Sequence, residues 1–142
     1  MKDRLPLERV HFTDKLPYPD LVALFQISAA HVYLTYPFVL SWSMLEAMSA
    51  GALVIGSRTA PVEEVIEHGT NGLLVDFFDH KSLAETTIQA LARPDAFRLI
   101  REAARRTIVE RYDLRAKCLP KWIAFLGHIG GKDGLSIKSR RR

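Results

Sequence analysis

The chain has 142 residues, of which 48% are hydrophobic and 25% are charged; this is the composition of a globular domain rather than of a disordered segment. Its one cysteine, Cys118, excludes an intrachain disulfide and a cysteine-based metal centre. The formal net charge is +4, but much of the excess lies near the carboxyl terminus, at Lys132, Lys138, Arg140, Arg141 and Arg142. This pattern predicts a solvated basic tail and no nucleic-acid-binding surface.

No apolar run approaches the ~20 residues of a membrane helix, and the first ten residues contain no apolar signal-peptide core. We therefore expect a cytoplasmic protein. We also expect one domain over residues 1–129, which lacks its amino-terminal side, followed by a basic disordered tail over residues 130–142.

Strands are predicted to alternate with helices along the chain. Strands are expected over residues 10–12, 31–35, 53–55 and 73–75, and helices over 20–28, 41–50, 61–66 and 79–92. Two helices follow, over 94–111 and after Asp113, the latter with a kink at Pro120. Gly51 is expected to end the second helix.

This order predicts an α/β fold, namely a Rossmann-like parallel sheet with helices on both faces. In such folds the ligand site lies beyond the carboxyl ends of the strands.

The helix predicted over residues 41–50 is apolar nearly all round. Its polar residues Ser43, Glu46 and Ser49 are spaced three apart and therefore share one narrow stripe. A buried carboxylate requires a polar partner. Two partners are open: Ser43 in a capping box at the start of the same helix, or a ligand that carries hydroxyl groups.

Ordered motifs in the chain resemble those of a known family. Residues 45–54, LEAMSAGALV, are similar to the LEAMA-x-G-x-PV signature in the carboxyl-terminal domain of retaining GT-B glycosyltransferases. This group includes glycogen and sucrose synthases and bacterial glycan-building enzymes. Residues 64–75, EVIEHGTNGLLV, look like the E-[IV]-[IV]-x-x-G-x-x-G-x-L-V pattern of the same domain. Val10, Phe12 and Leu21 look like its entry strand and helix, so the resemblance covers residues 10 to about 123.

The resemblance implies transfer of a hexose, with retention, from a nucleoside-diphosphate sugar to a glycan or a lipid-linked acceptor, without a metal ion or other cofactor. Glu46 matches the glutamate that holds the ribose hydroxyls, which favours a ligand over the capping box; a carboxylate suits vicinal hydroxyls because it accepts two charge-assisted hydrogen bonds. The diphosphate is expected at the amino terminus of the helix over 41–50. The remaining donor contacts that the resemblance implies are the backbone of Val39, Leu40, Ser41 and Trp42, the hydroxyls of Ser41 and Ser43, and, for the base, Leu16, Pro17 and Tyr18.

Three departures from the family pattern affect activity. Phe38 stands where the family has a first glutamate, which contacts the transferred sugar, and Val39 and Ser41 replace the glycines that follow it. The family's phosphate-binding Arg and Lys, the first strands and the acceptor domain would precede Val10 and are not in this sequence. We therefore expect an amino-terminal acceptor domain as partner, and no sugar transfer by the chain alone. No catalytic residue is assigned.

Two alternative interpretations belong to other function classes. A non-catalytic nucleotide-binding or assembly module derived from the same family is favoured by Phe38. An unrelated Rossmann-like regulator or dehydrogenase is disfavoured because no Gly-x-Gly-x-x-Gly follows a strand.

Two further surfaces are predicted. The first is a basic helix face that we expect to be solvated and ion-paired, with peripheral contact to anionic lipid as the alternative; it consists of Arg98, Arg101, Arg105 and Arg106. The second is an exposed sheet edge, which suggests a homo-oligomer formed by strand pairing.

Overall fold

The computed structural model describes residues 7–36 and 39–129. Phe38 and the tail predicted over residues 130–142 lie outside the described residues. The helices and strands follow in chain order: α1 (Tyr18–Ile27), β1 (His31–Tyr33), α2 (Trp42–Ala50), β2 (Val54–Ser57), α3 (Ala60–Glu63), β3 (Leu73–Val75), α4 (His80–Ala92), α5 (Arg98–Tyr112) and α6 (Leu119–Ile129). Short 3₁₀ helices span Leu7–Arg9 and Pro94–Phe97, and a π-helix spans Leu114–Cys118.

The three strands form one parallel sheet in the order β1-β2-β3. His31 pairs with Val54, and Ile55 pairs with Leu73. Every residue of β2 and β3 is buried, as expected for parallel strands that are covered on both faces. The predicted α/β, Rossmann-like class is therefore confirmed.

Two apolar clusters lie on opposite faces of the sheet because side chains alternate along each strand. In β2, Val54 belongs to a cluster with residues of α1, α2 and α5. Its neighbour Ile55 belongs to the second cluster, which includes Ala90 of α4. The helix that carries Glu46 is thus one wall of the larger cluster, and its position is fixed by three fully buried side chains, Met44, Ala47 and Met48.

Several helix ends lie where the sequence predicts them. Gly51 follows α2 with a φ of 86°, a left-handed conformation that glycine adopts without a steric cost. The Asp79 carboxylate accepts a hydrogen bond from the Ser82 N–H at 2.9 Å and caps α4. Helix α1 begins at Tyr18, two residues earlier than predicted, because Pro17 and Pro19 fit the start and first turn of a helix.

The strand predicted over residues 10–12 is wrong, since this segment is irregular and pairs with none of the described strands. Phe12 is 80% exposed, so its apolar side chain, which suggested a buried strand, has no sheet neighbour. The predicted order of four strands is therefore reduced to three in the described chain.

Among the described residues, no helix is long and apolar enough to cross a membrane. In the same part of the chain, no three His, Cys, Asp or Glu side chains are grouped so that they could hold a metal ion.

Candidate functional site

The carboxyl ends of β1 and β2 are tied together by side-chain hydrogen bonds. The Ser57 hydroxyl, fully buried at the end of β2, accepts from the Thr35 N–H at 3.0 Å and donates to the Thr35 carbonyl at 2.8 Å. These bonds replace ladder bonds, so β1 ends at Tyr33 rather than at the predicted Thr35. They fix where the chain leaves the sheet toward α2.

The amino terminus of α2 is anchored to β1 by a buried tyrosine. The Ser41 N–H donates to the Tyr33 hydroxyl at 2.9 Å. The Ser41 hydroxyl accepts from the Ser43 N–H at 3.3 Å and lies 3.1 Å from the Ser43 hydroxyl, so Ser41 is the N-cap. The positive end of the helix dipole therefore lies beyond the carboxyl edge of the sheet, where anions are stabilised.

Glu46 does not form a capping box with Ser43. Because Ser41 is the N-cap, Ser43 is already the second residue of the helix, and a capping box requires the serine itself at the N-cap. The Glu46 side chain is partly buried and pairs with no backbone donor among the described residues. Its carboxylate is therefore available to another partner.

That partner in the structure is Tyr18, the first residue of α1. The negative charge of Glu46 raises the pKa of Tyr18 above its ordinary value of 10.0, and desolvation and hydrogen bonding to Glu46 act in the same direction. The carboxylate therefore points from α2 toward the start of α1. Two residues that were predicted to contact opposite ends of a nucleoside, its ribose and its base, thus lie next to each other.

The other predicted contacts lie around these two residues. Trp42 and Val39 are 80% and 74% exposed, whereas Leu40 is partly buried against the larger core cluster. Pro17 is the N-cap residue of α1, and Leu16 precedes it, partly buried. The predicted contacts therefore lie at the starts of α1 and α2, and they include both exposed and partly buried side chains. Four cavities in the described chain are lined by other residues, several of them in α5, and by none of the predicted donor contacts.

The opposite end of α2 is held by two arginines of α5. Arg101 donates to the Gly51 carbonyl at 2.8 Å, and Arg105 donates to the Ser49 carbonyl. Cations are stabilising at the negative end of a helix dipole. The predicted solvated and ion-paired face is therefore correct for Arg98, which pairs with Glu102 at 2.8 Å. Arg105 and Arg106 are exposed, as predicted, but Arg105 binds a backbone carbonyl rather than a carboxylate. The prediction is wrong for Arg101, which is partly buried and also binds a backbone carbonyl.

Single-sequence reasoning missed Tyr33, Arg101 and Arg105. Tyr33 is one of several aromatic residues in a predicted strand, and nothing in its local pattern indicates that it binds the Ser41 N–H. Arg101 and Arg105 are separated from their acceptors by 50 and 56 residues, and a local sequence pattern does not predict contacts at that distance.

The chain is similar in sequence to known proteins. Residues 1–107 match the model of the family described as glycosyl transferases group 1. Over 69 residues the chain is 36% identical to the N-acetyl-alpha-D-glucosaminyl L-malate synthase of Bacillus anthracis. This segment is 49% of the chain but 18% of that enzyme.

The fold is similar to those of larger solved proteins. Anabaena HepE, crystallised in complex with UDP-glucose, superimposes with a TM-score of 0.68 at 21% identity, over 75% of this chain and 29% of HepE. TarM superimposes with a TM-score of 0.54 at 24% identity, over 61% of this chain and 18% of TarM. The chain thus spans less than a third of each relative and has the fold of part of a GT-B carboxyl-terminal domain. It belongs to the glycosyl transferases group 1 family.

Proposed function

We propose that this chain is the donor-binding part of a glycosyltransferase, which holds a nucleoside-diphosphate sugar while a separate acceptor domain presents a glycan or a lipid-linked acceptor. Glu46 binds the ribose hydroxyls, and the amino terminus of α2 binds the diphosphate. Transfer is of the hexosyl type, proceeds with retention and requires no metal ion.

The observation that carries this proposal is the position of the Glu46 carboxylate. It lies on a helix anchored to the core by three fully buried side chains. It does not cap the start of its own helix, and it faces Tyr18. A charged acceptor in a fixed position and on a partly exposed surface is suited to a pair of hydroxyl groups.

The chemistry of the helix terminus supports the same ligand. Val39, Leu40, Ser41 and Trp42 lead into the first turn of α2, where backbone N–H groups and the helix dipole favour phosphate. The HepE structures contain UDP-glucose and UDP, so we expect a uridine nucleotide to be the first ligand to test.

The test is calorimetric titration of the full chain with UDP, GDP and ADP. We expect saturable binding of one of them and at least about tenfold weaker binding by Glu46→Gln, because charge-assisted hydrogen bonds contribute roughly 1.5–3 kcal/mol. A chelator should leave the binding unchanged.

The matched control is Glu85→Gln, which removes an exposed carboxylate on α4 whose partner is Lys81 at 3.9 Å. Equal binding by the wild-type chain and Glu46→Gln, or an equal loss in Glu85→Gln, would contradict the assignment of Glu46.

The second candidate function, a non-catalytic nucleotide-binding module, is favoured by Phe38 at the position of the sugar-contacting glutamate. The two functions differ once an acceptor domain is supplied. Sugar transfer by the combined protein supports the enzyme, whereas nucleotide binding without transfer supports the module.

A further inference from the structure

The hydroxyl of Ser57 binds the backbone of a single residue, Thr35. Ser57 is the last residue of β2 and is fully buried. Its hydroxyl accepts from the Thr35 N–H at 3.0 Å and donates to the Thr35 carbonyl at 2.8 Å. A serine hydroxyl has one proton to donate, and here that proton and a lone pair both serve the same residue. The two bonds together fix the position and the orientation of the backbone at Thr35.

Thr35 lies at the start of the connection between β1 and α2, which spans residues 34–41. The far end of this connection is also held by a side chain, because the Ser41 N–H donates to the Tyr33 hydroxyl at 2.9 Å. The predicted diphosphate contacts, residues 39–42, lie at that far end. The connection is therefore held at both ends, by Ser57 from β2 and by Tyr33 from β1.

The bonds between Ser57 and Thr35 lie inside the sheet and not at its outer edge. The His31 N–H donates to the Leu53 carbonyl at 2.7 Å, and alternate residues of a strand direct their backbone groups to the same neighbouring strand. The backbone groups of Thr35, four residues after His31, therefore face β2, with which β1 pairs in parallel. A further strand beside β1 would leave these bonds in place.

We propose that Ser57 is a positioning residue for the diphosphate of the donor: its hydroxyl holds the backbone of Thr35 and thereby fixes the connection that presents residues 39–42 to the phosphate groups. Ser57 is fully buried, so it acts through Thr35 and not by touching the ligand. This inference rests on the proposed function, because it concerns the same diphosphate site.

The expected effect follows from the cost of ordering a segment on binding. A connection that is fixed in advance binds without this cost. When a protein adopts its binding-competent arrangement for only part of the time, its apparent affinity falls by that fraction. Removal of the Ser57 hydroxyl frees one end of the connection and should therefore weaken the binding of a phosphate-bearing ligand.

The test compares UDP with uridine in NMR titrations of the full chain. Ser57→Ala should weaken UDP binding about fivefold. It should weaken uridine binding less than about twofold, because the ribose is assigned to Glu46, whose helix is anchored separately by the core. Glu46→Gln should weaken the binding of both ligands.

The matched control is Thr107→Val, which also removes a hydroxyl that joins two parts of the fold. The Thr107 hydroxyl donates to the Ala103 carbonyl at 2.9 Å and accepts from the Asn71 side-chain amide at 3.1 Å. It links α5 to the connection between α3 and β3, away from the predicted donor contacts. Thr107→Val should destabilise the fold and leave UDP binding unchanged.

Hydrogen exchange gives a second readout that needs no ligand. The Thr35 amide should exchange with deuterium at least about tenfold faster in Ser57→Ala than in the wild-type chain. The Leu74 amide is the internal comparison, because it too donates to a side chain, to His68 Nδ1 at 2.9 Å. Its exchange should not change unless the whole fold is destabilised.

The possible outcomes separate this inference from the proposed function. If the wild-type chain binds UDP through Glu46 but Ser57→Ala binds it equally well, the inference is wrong and the proposed function stands. Equal losses of UDP and uridine in Ser57→Ala, or a loss of UDP in Thr107→Val as large as that in Ser57→Ala, would also overturn the inference. Absence of UDP binding by the wild-type chain would overturn both.

Discussion

At the scale of single residues, the site depends on the pair formed by Glu46 and Tyr18. The carboxylate has no backbone partner at its own helix start, and its charge opposes ionisation of the neighbouring phenol. A ligand that donates hydrogen bonds to Glu46 would therefore change the surroundings of Tyr18 as well.

This pairing predicts the titration of Tyr18. In the wild-type chain its pKa lies above the ordinary value of 10.0, and in Glu46→Gln it should fall toward that value because the repelling charge, the first cause of the shift, is removed. The measurement is a pH titration followed by NMR of ring-labelled tyrosine in the wild-type chain and in Glu46→Gln. An unchanged Tyr18 pKa in Glu46→Gln would show that the two side chains are not in contact.

The position of Glu46 on a largely apolar helix could be predicted from the sequence because its motif and its polar stripe are local, whereas its role in donor binding stays a prediction. Its rejected alternative, the capping box, depended on which of two nearby serines begins the helix. Ser41 and Ser43 are both good N-cap residues, and the choice between them is decided by Tyr33, whose hydroxyl accepts from the Ser41 N–H. That contact requires the strand and the helix to be packed, so the local pattern does not indicate it.

At the scale of elements, α2 is held at both ends by other parts of the fold. Tyr33 anchors its amino terminus, and Arg101 and Arg105 bind the carbonyls at its carboxyl terminus.

The bounds of α2 were predicted within one residue because the serine before the helix, Ser41, and the glycine after it, Gly51, are local signals. The strand over residues 10–12 was predicted wrongly because its apolar side chains suggest burial, whereas burial of a strand depends on neighbouring strands.

The arginine contacts predict a specific loss of stability. Arg101→Met removes a charge-assisted hydrogen bond to the end of α2 and should lower the free energy of unfolding by about 1–2 kcal/mol. Urea unfolding followed by circular dichroism measures this change.

Arg98→Met is the matched variant for this measurement. Its guanidinium pairs with Glu102 one turn along the same exposed helix face, so its removal should cost at most about 0.5 kcal/mol. If the two variants lost equal stability, the contact between α5 and α2 would not contribute as proposed.

At the scale of the whole molecule, the chain has two parts with different charge and packing. The sheet and helices α1 to α5 enclose both apolar clusters. The π-helix and α6 contain no buried residue. They belong to residues 114–142, whose eight Lys and Arg residues and one Asp give +7, so the first 113 residues carry −3 of the net charge of +4.

This division predicts that the folded body does not require its carboxyl-terminal segment. A chain that ends at Asp113 should unfold cooperatively with a free energy within about 1 kcal/mol of the full chain, because none of the described side chains after Asp113 is buried. Thermal and urea unfolding of the two proteins would show this, and a much larger loss would mean that α6 stabilises the body.

The hydrogen bond between Tyr33 and Ser41 has a consequence for selectivity. Under the proposed function, a phosphate oxygen that accepts from the Ser41 N–H must displace the neutral phenol oxygen of Tyr33. Binding of the nucleotide sugar at this point therefore exchanges one hydrogen-bond acceptor for another. A charged oxygen makes the stronger bond and gains from the exchange, whereas a neutral oxygen gains almost nothing. A nucleoside without phosphate would therefore leave the tyrosine in place, and the start of this helix would discriminate between ligands by their charge.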